Sequence, residues 1–285
     1  MPKQFDPRSD PDVPAGMSIE LLKDLHLLTR EGQLNADARR KLKQIRHLVG
    51  LLKPALDDTL ARHPAPALVD CGAGKSYLGA LLYELVLAPA GRGSLTAIEA
   101  RPELSEQAAS RAARFGQQRF HVATGAIDHI TLASRPNVVT ALHACDTATD
   151  DALALAIAQN ADHVAVVPCC QAEVARQLEK SKPADPAIAA LFEHPLHRRE
   201  LGSHLTNVVR ALVLEAHGYK VTVTELVGWE HSAKNELILG KRINRYSGDA
   251  RATLRALLDR FQIEPALIRA LAAKNLDPRA APAAS

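Results

Sequence analysis

The stretch ALVDCGAGKSYLG, residues 67–79, decides the fold. A short apolar run ends at Asp70, Gly72 and Gly74 follow, and a helical pattern begins near Lys75. Glycine has no Cβ, so it lets the backbone turn tightly and approach a ligand closely. The free N–H groups at the start of the next helix favour binding at the same place. The stretch therefore predicts a strand, a loop and a helix that bind a nucleotide-like cofactor at the carboxyl end of a sheet.

Two common phosphate-binding motifs do not fit this loop. A P-loop needs a glycine five residues before Gly74, where the chain has Val69. The dinucleotide fingerprint needs a third glycine three residues after Gly74, where the chain has Tyr77. What remains is Asp70 before the loop and Glu99, 25 residues after Gly74, at the end of the next predicted strand. A carboxylate at that strand end can accept hydrogen bonds from both ribose hydroxyls, and Asp70 favours a cationic cofactor group over a pyrophosphate.

The rest of the chain alternates short apolar runs with helical stretches. Five runs are predicted as strands, at 68–71, 95–98, 120–123, 137–142 and 163–167. This alternation predicts a parallel sheet with helices on both faces. Two further strands, 220–227 and 236–241, have no helix between them and predict an antiparallel hairpin at one edge. The expected fold is α/β, with a Rossmann-like, seven-stranded and mostly parallel sheet, a C-terminal antiparallel hairpin and an N-terminal helical extension.

Four segments are predicted along the chain. Residues 1–16 are rich in proline and charge and are expected to form a mobile tail. Residues 17–64 form the helical extension, in which Asn35 caps a helix and Pro54 helps to close the segment. Residues 65–245 form the main domain. Residues 246–285 contribute two short helices, at 249–273, and a disordered tail.

Composition and charge limit the class of protein. The 285 residues are 47% hydrophobic and 24% charged, which is typical of a globular protein and excludes global disorder. The net charge of +3 permits an acidic partner without requiring one. Four cysteines are too few for a disulfide scaffold. The chain starts without a secretory signal and contains no apolar run of about 18–20 residues, so we expect a cytoplasmic protein without a membrane partner; the oligomeric state is not predicted.

Three stretches resemble class I S-adenosylmethionine-dependent methyltransferases. VDCGAGKSYLG, AIEARPELSEQAASRAARFG and FHVATGAID are similar to the first three motifs of that family, and the resemblance covers about residues 67–242. It implies S-adenosylmethionine as the cofactor, with the amino-acid portion at the glycine loop, the ribose at Glu99 and the adenine beside residues 125–127. The chain departs from the family at Ser76, where many members have a third glycine. The implied cofactor-binding residues are Asp70, Gly72, Ala73, Gly74, Tyr77, Glu99, Ala126, Ile127 and His143.

A narrower resemblance rests on the loops after strands four and five. LHACDTATDDAL, residues 142–153, and the pair Cys169–Cys170 resemble a branch of this family. That branch includes the acceptor-stem tRNA 2′-O-methyltransferases and the methyltransferase domain of the glutathione S-transferase C-terminal-domain-containing protein. The chain departs from the branch at Asp146, where members carry glycine, and at Gln171, where the tRNA enzymes have histidine.

These loops supply the candidate catalytic residues. Methyl transfer to a hydroxyl or amide needs a proton acceptor, so His143, Asp146 and Asp150 are candidate acid/base groups. Helix capping and loop hydrogen bonding are the alternatives, and Asp146 in particular can cap the next helix. Cys145 and the cysteine pair admit three interpretations: a nucleophile, zinc ligands together with His143, or small apolar fillers. We expect the last of these and no metal.

A basic helix is predicted at residues 38–53, ARRKLKQIRHLVGLLK, with six lysines and arginines and no acid. Such a helix beside the cofactor site favours contact with RNA phosphates, and a solvated helix face is the alternative. The candidate substrate-binding residues are Arg39, Arg40, Lys43, Gln44, Cys169 and Cys170. The expected function is methyl transfer from S-adenosylmethionine to RNA, either tRNA or rRNA. The alternatives are methylation of a protein side chain or a small molecule, and a non-catalytic cofactor-binding partner module.

Overall fold

The computed structural model describes residues 9–142, 144, 146–168, 172–183, 185–226 and 236–280. Four predicted site residues lie outside this part of the chain: His143, Cys145, Cys169 and Cys170.

One sheet of seven strands organises the described residues, in the order β3-β2-β1-β4-β5-β7-β6. The strands β1 to β5 are parallel, and β7 is antiparallel to both β5 and β6. This confirms the predicted α/β fold with its C-terminal antiparallel hairpin. The order changes direction between β1 and β4, so the loops after these two strands diverge and open a crevice at the carboxyl edge. The strands are β1 Ala67–Cys71, β2 Ser94–Glu99, β3 Phe120–Thr124, β4 Val138–Ala141, β5 His163–Val166, β6 Tyr219–Glu225 and β7 Glu236–Arg242.

Helices cover both faces of the sheet. Helix α3 continues through a π-helical turn, Tyr83–Leu87, into α4, and a short 3-10 helix, Ile127–His129, follows β3. The helices are α1 Ile19–Asp24, α2 Ala36–Arg62, α3 Tyr77–Leu82, α4 Ala88–Ala90, α5 Pro102–Arg114, α6 Ala148–Ala158, α7 Glu173–Lys180, α8 Pro186–Ala190, α9 Pro195–Ala216, α10 Gly248–Phe261 and α11 Ala266–Ala272. No helix in the described part of the chain is long and apolar enough to cross a membrane.

Alternate residues of each strand point to opposite faces, and this alternation builds two apolar layers. One layer joins the sheet to α6, α9, α10 and α11, and it includes Val69, Ile98, Val139, Leu153, Val209, Leu254 and Leu267. The other joins the sheet to α2 and α3, and it includes Leu48, Leu52, Leu56, Leu68, Leu78, Leu95 and Val138. The two predicted C-terminal helices are thus integral to the main core.

Residues 9–16 differ from the predicted mobile tail. Val13 is buried in a third apolar cluster, which α1, the start of α2 and the outer side of α3 also form. The carboxylates of Asp10 and Asp12 lie 2.9 and 2.7 Å from the guanidinium nitrogens of Arg39. The proline and charge content of this segment does not predict its packing, because its ion-pair partner and its apolar contacts are both distant in sequence.

Helix α2 also differs from its predicted end. Its N-cap is Asn35 as predicted, since the Asn35 side chain accepts a hydrogen bond from the Ala38 N–H. Pro54, however, lies inside the helix, which continues to Arg62. Proline cannot donate to the carbonyl four residues earlier, but that carbonyl belongs to the exposed Gly50, where water can satisfy it.

Candidate functional site

The loop between β1 and α3 has a backbone that turns repeatedly. Gly72, Gly74 and Ser76 all have positive φ, at 63°, 57° and 53°. Ser76 thus occupies the position of the family's third glycine in a glycine-like conformation, which costs a residue with a Cβ about 1–2 kcal/mol. The Ala73 N–H donates to the Ile98 carbonyl at 3.0 Å and ties the loop to the end of β2.

The loop after β4 packs directly on the glycine loop. A Cβ at Gly72 would stand 3.0 Å from both Cα and Cβ of Ala144, which is closer than ordinary van der Waals contact. The carbonyl of Ala144 in turn accepts a hydrogen bond of 2.5 Å from the buried hydroxyl of Thr149. The close approach of the two loops and the positive φ at position 72 therefore both favour glycine there.

Glu99 ends β2 and reaches across to the glycine loop. Its carboxylate accepts hydrogen bonds from the Gly74 N–H at 2.7 Å and from Nε of Arg101 at 2.8 Å. Burial acts to raise the pKa of Glu99, but the donors of Arg101 and Gly74 outweigh it and hold the pKa below its ordinary value. Glu99 is therefore an ionised acceptor at the carboxyl edge of the sheet.

Asp70 lies on β1 just before the glycine loop and is buried. Its Oδ1 accepts a hydrogen bond of 2.7 Å from the hydroxyl of Thr140 on β4. Burial raises the pKa of Asp70 to about 7, and the Thr140 hydroxyl opposes this rise. The charge of Asp70 therefore changes close to neutral pH.

The other predicted cofactor residues divide into two groups. Ala126 and Ile127 follow β3 beside Gly125, whose N–H donates to the Glu99 carbonyl at 3.0 Å, so the structure brings them to the same edge. Tyr77 is different, because its side chain packs against the N-terminal apolar cluster on the outer side of α3. The contact between Tyr77 and the cofactor therefore stays a prediction.

Asp150, predicted as a candidate base, is a buried ion-pair partner. Nε and Nη2 of Arg210 lie 2.8 and 3.0 Å from its two carboxylate oxygens. The side chains of Asp150 and Arg210 are only 4% and 1% exposed. Nη2 of Arg210 also donates to the Asp146 carbonyl at 3.1 Å. Asp150 therefore holds the loop after β4 in place and is not a free acid/base group.

Asp146 is the more accessible carboxylate of that loop. It has a positive φ of 52°, and its Oδ1 accepts a hydrogen bond of 3.2 Å from the Ala172 N–H. It does not cap the next helix, because α6 begins after Thr147 without a side-chain cap. Among the described catalytic candidates, Asp146 is the one whose side chain lies in reach of solvent, at 37% exposure.

The predicted basic surface of α2 is smaller than its sequence indicates. Arg39 is paired with Asp10 and Asp12, and Arg46 donates to the carbonyl of Pro11. Lys53 pairs with Asp57 at 2.6 Å. Arg40, Lys41 and Lys43 lie on the exposed side of the helix. The structure describes the backbone of Gln44 in this helix but not its side chain.

Three arginines near the site were missed by the sequence analysis. Arg101 stands two residues after Glu99, and this spacing is a local signal that could have identified it. Arg210 lies 60 residues after Asp150, and Arg111 lies 36 residues after Lys75, whose carbonyl it contacts. No local pattern connects such pairs, since only the tertiary fold brings them together.

Residues 40–177 match the family model of a methyltransferase domain. The matched range contains the glycine loop, Glu99 and the loop after β4, and it begins inside helix α2. The protein is thus an S-adenosylmethionine-dependent methyltransferase.

Solved methyltransferases are similar to this chain at low sequence identity. An rRNA methylase from Streptococcus thermophilus aligns with 68% of this chain and 95% of its own, at 9% identity and a TM-score of 0.43. Magnesium protoporphyrin IX methyltransferase from Synechocystis PCC 6803, with bound SAH, aligns with 79% of this chain and 95% of its own, at 11% identity and a TM-score of 0.46. A search of curated protein sequences finds no significant match.

The ion pair between Asp150 and Arg210 gives a stability prediction for this methyltransferase. Arg210→Met should lower the free energy of unfolding by about 3–5 kcal/mol, because it leaves the Asp150 carboxylate buried without its cation. Equilibrium urea denaturation measures this change. The double variant Asp150→Leu with Arg210→Met should recover most of the loss.

The exposed pair of Lys53 and Asp57 provides the control for this prediction. Lys53→Met should cost at most about 1 kcal/mol, as is typical of surface ion pairs. If Arg210→Met cost no more than Lys53→Met, the interpretation of Asp150 as a buried structural carboxylate would be wrong.

Proposed function

We propose that the protein transfers a methyl group from S-adenosylmethionine to RNA, and that the glycine loop, Asp70 and Glu99 hold the cofactor. The observation that carries this proposal is the contact between the Glu99 carboxylate and the Gly74 N–H, 2.7 Å apart, beside the switch point of the sheet. It joins an ionised acceptor to a glycine loop at the edge where open α/β sheets bind their ligands.

The residues at this edge fit the chemistry of the cofactor part by part. Ionised Glu99 suits two ribose hydroxyls, which are hydrogen-bond donors. Buried Asp70 suits the ammonium of the methionine portion, because a charge in a buried site needs a partner of opposite sign. Ile127, buried in the apolar layer after β3, suits the face of the adenine ring.

The bound cofactor supplies a methyl group on a sulfonium, which passes in line to a nucleophile and leaves S-adenosylhomocysteine. For such a reaction the protein contributes mainly proximity and orientation. Asp146 is the proposed proton acceptor for the attacking group, because its carboxylate is partly exposed on the loop that packs on Gly72. Arg210 and the Ala172 N–H hold Asp146 through its carbonyl and its carboxylate.

The position of α2 supports RNA as the substrate. Near the end of this helix, Oδ2 of Asp58 lies 2.7 Å from Nε2 of His163, the first residue of β5. Leu48, ten residues earlier, shares an apolar cluster with Leu142, which follows β4. The helix thus runs along the sheet toward its amino edge. At about 1.5 Å per residue, Arg40 stands roughly 12 Å past Leu48, on the side of the glycine loop.

The N-terminal half of α9 also extends toward the site, from the face of the sheet opposite α2. Arg210 of α9 is level with the start of α6, and α9 extends twelve residues further back to Arg198. This half of α9 packs closely on α7, because a Cβ at Gly202 would stand 2.7 Å from the Ala175 nitrogen. Arg199 on this half of α9 and Arg40 and Lys43 on α2 are exposed, and cations on both sides of the site suit an extended anionic substrate.

The carboxylate of Glu99 gives a prediction on cofactor affinity. Glu99→Ala should weaken the binding of S-adenosylhomocysteine by about 1–3 kcal/mol, or roughly 5- to 150-fold, because charge-assisted hydrogen bonds to the ribose are lost. Isothermal titration calorimetry measures the change. Glu103→Ala, in the first turn of α5 and exposed, is the control. Equal affinity of Glu99→Ala and the wild type would remove Glu99 from the ribose site.

The raised pKa of Asp70 gives a prediction on pH dependence. Below pH 7 Asp70 becomes protonated and no longer attracts an ammonium, so the affinity for S-adenosylhomocysteine should fall by up to about tenfold per pH unit. About one pH unit above that pKa and beyond, the affinity should be constant, because Asp70 is then almost fully ionised. Titrations between pH 5.5 and 8.5, about one and a half units to either side of that pKa, cover this window. Asp70→Asn should bind weakly with no such slope; a slope that persists in Asp70→Asn would contradict the assignment.

The exposed side of α2 gives a prediction on the substrate. The double variant Arg40→Glu with Lys43→Glu should reduce methyl transfer to RNA, and retention of RNA at about 50 mM salt, by tenfold or more, because two cations become anions beside the phosphates. The assay follows labelled methyl groups from S-adenosylmethionine into total RNA and total protein.

The matched control reverses one exposed lysine and one exposed arginine near the amino edge of the sheet, Lys220 and Arg245. It changes the net charge equally and should leave both readouts intact. Label in protein, or equal loss in the control and the test variant, would contradict the RNA proposal. Label in neither fraction, with the cofactor bound, would favour a small molecule or a non-catalytic module.

A further inference from the structure

Arg111 connects the N-terminal extension to the glycine loop. Its Nε lies 2.6 Å from Oδ2 of Asp24, the last residue of α1. Its Nη1 donates to the carbonyl of Lys75, also at 2.6 Å. Arg114, one turn further along α5, lies 2.9 Å from Oδ1 of the same aspartate. One guanidinium therefore joins α1, α5 and the backbone of the loop.

The contacted carbonyl lies at a decisive place in the loop. Lys75 stands between Gly74 and Ser76, which both have positive φ. The N–H of Gly74, one residue earlier, donates to Glu99. Glycine restricts its own backbone very little, so the loop depends on contacts from outside to keep one conformation. Arg111 supplies such a contact from α5.

The surroundings make this contact strong. The side chains of Arg111 and Asp24 are only 9% and 16% exposed, so water and salt screen their attraction weakly. Charge-assisted hydrogen bonds of this length are among the stronger ones in proteins. The third apolar cluster, with Leu21 and Leu22 on α1 and Leu81 on α3, holds the two elements together beside them.

We infer that Asp24 and Arg111 are positioning residues for the cofactor site, so that the N-terminal extension is a functional part of that site. The pair holds the Lys75 carbonyl, and with it the Gly74 N–H and Glu99, in the geometry that receives the ribose. Without the pair, the loop must be ordered at the moment of binding, and affinity falls by that cost. The inference rests on the proposed placement of the cofactor at the glycine loop.

The test measures cofactor affinity and loop order in isosteric or near-isosteric variants of the full chain. Asp24→Asn should weaken the binding of S-adenosylhomocysteine about 3- to 10-fold and Arg111→Met more than about tenfold. Arg111→Lys should lie between Arg111→Met and the wild type, because one ammonium keeps the charge but cannot form both contacts at once. Hydrogen exchange should show faster exchange of the Gly74 N–H in Asp24→Asn, in the absence of cofactor.

The control is Asp12→Asn, which removes an ion pair with Arg39 in the same extension, away from the loop. It should lower the thermal unfolding temperature without changing affinity or Gly74 exchange. All titrations are made at a temperature where thermal unfolding shows the variants to be folded. If Arg111→Met does not fold, Asp24→Asn and Arg111→Lys decide.

Two results would overturn the inference: wild-type affinity in the folded Asp24 and Arg111 variants, or an equal loss of affinity in Asp12→Asn. If the proposed placement of the cofactor at the glycine loop is itself wrong, the titrations give a different result. In that case the wild type itself does not bind S-adenosylhomocysteine, or Glu99→Ala binds it as tightly as the wild type does.

Discussion

The hydrogen bond between the Gly74 N–H and the Glu99 carboxylate is the interaction on which the site depends. It connects the loop after β1 to the end of β2, and a parallel sheet brings these two chain segments to one edge. The loop has positive φ at Gly72 and Gly74, and in this conformation the Gly74 N–H points toward β2. The same turn lets Ala144 approach Gly72 so closely that a Cβ at position 72 would crowd it. The glycines therefore serve the contacts among three loops at once.

Buried arginines fix these loops from outside the sheet. Arg210 binds the side chain of Asp150 and the carbonyl of Asp146, and Arg111 binds Asp24 and the carbonyl of Lys75. In each case one guanidinium joins an acidic side chain to a loop carbonyl, which its several donors allow. Arg210 and Asp150 are on α9 and α6, and Arg111 and Asp24 are on α5 and α1. Helices that surround the sheet therefore control the order of the site. This arrangement explains why the N-terminal extension packs on the domain and does not stand apart as a separate module.

Local sequence patterns predicted the parts of the structure that local physics controls. The seven strands, the glycine loop, the position of Glu99 and the Asn35 cap follow from apolar periodicity, glycine spacing and capping chemistry, and the structure contains them. The role of Asp150 was different, because its partner lies 60 residues away and its burial is a tertiary property. The same reason applies to residues 9–16, whose charges pair with Arg39. Because of burial and ion pairing, Asp150 is a structural residue where a catalytic base was predicted. For the same reason, residues 9–16 are packed where a mobile tail was predicted.

The most direct test of the account is a calorimetric titration of the purified wild-type protein with S-adenosylmethionine and S-adenosylhomocysteine, with ATP and NAD as controls. The first two ligands should bind with dissociation constants on the order of micromolar, which corresponds to a standard binding free energy of about −8 kcal/mol. The controls should not bind. That result would agree with a site in which the glycine loop, Asp70 and Glu99 bind a cationic nucleoside cofactor. Binding of ATP or NAD instead, or no binding of S-adenosylhomocysteine at all, would contradict the proposed site at the Gly74–Glu99 contact.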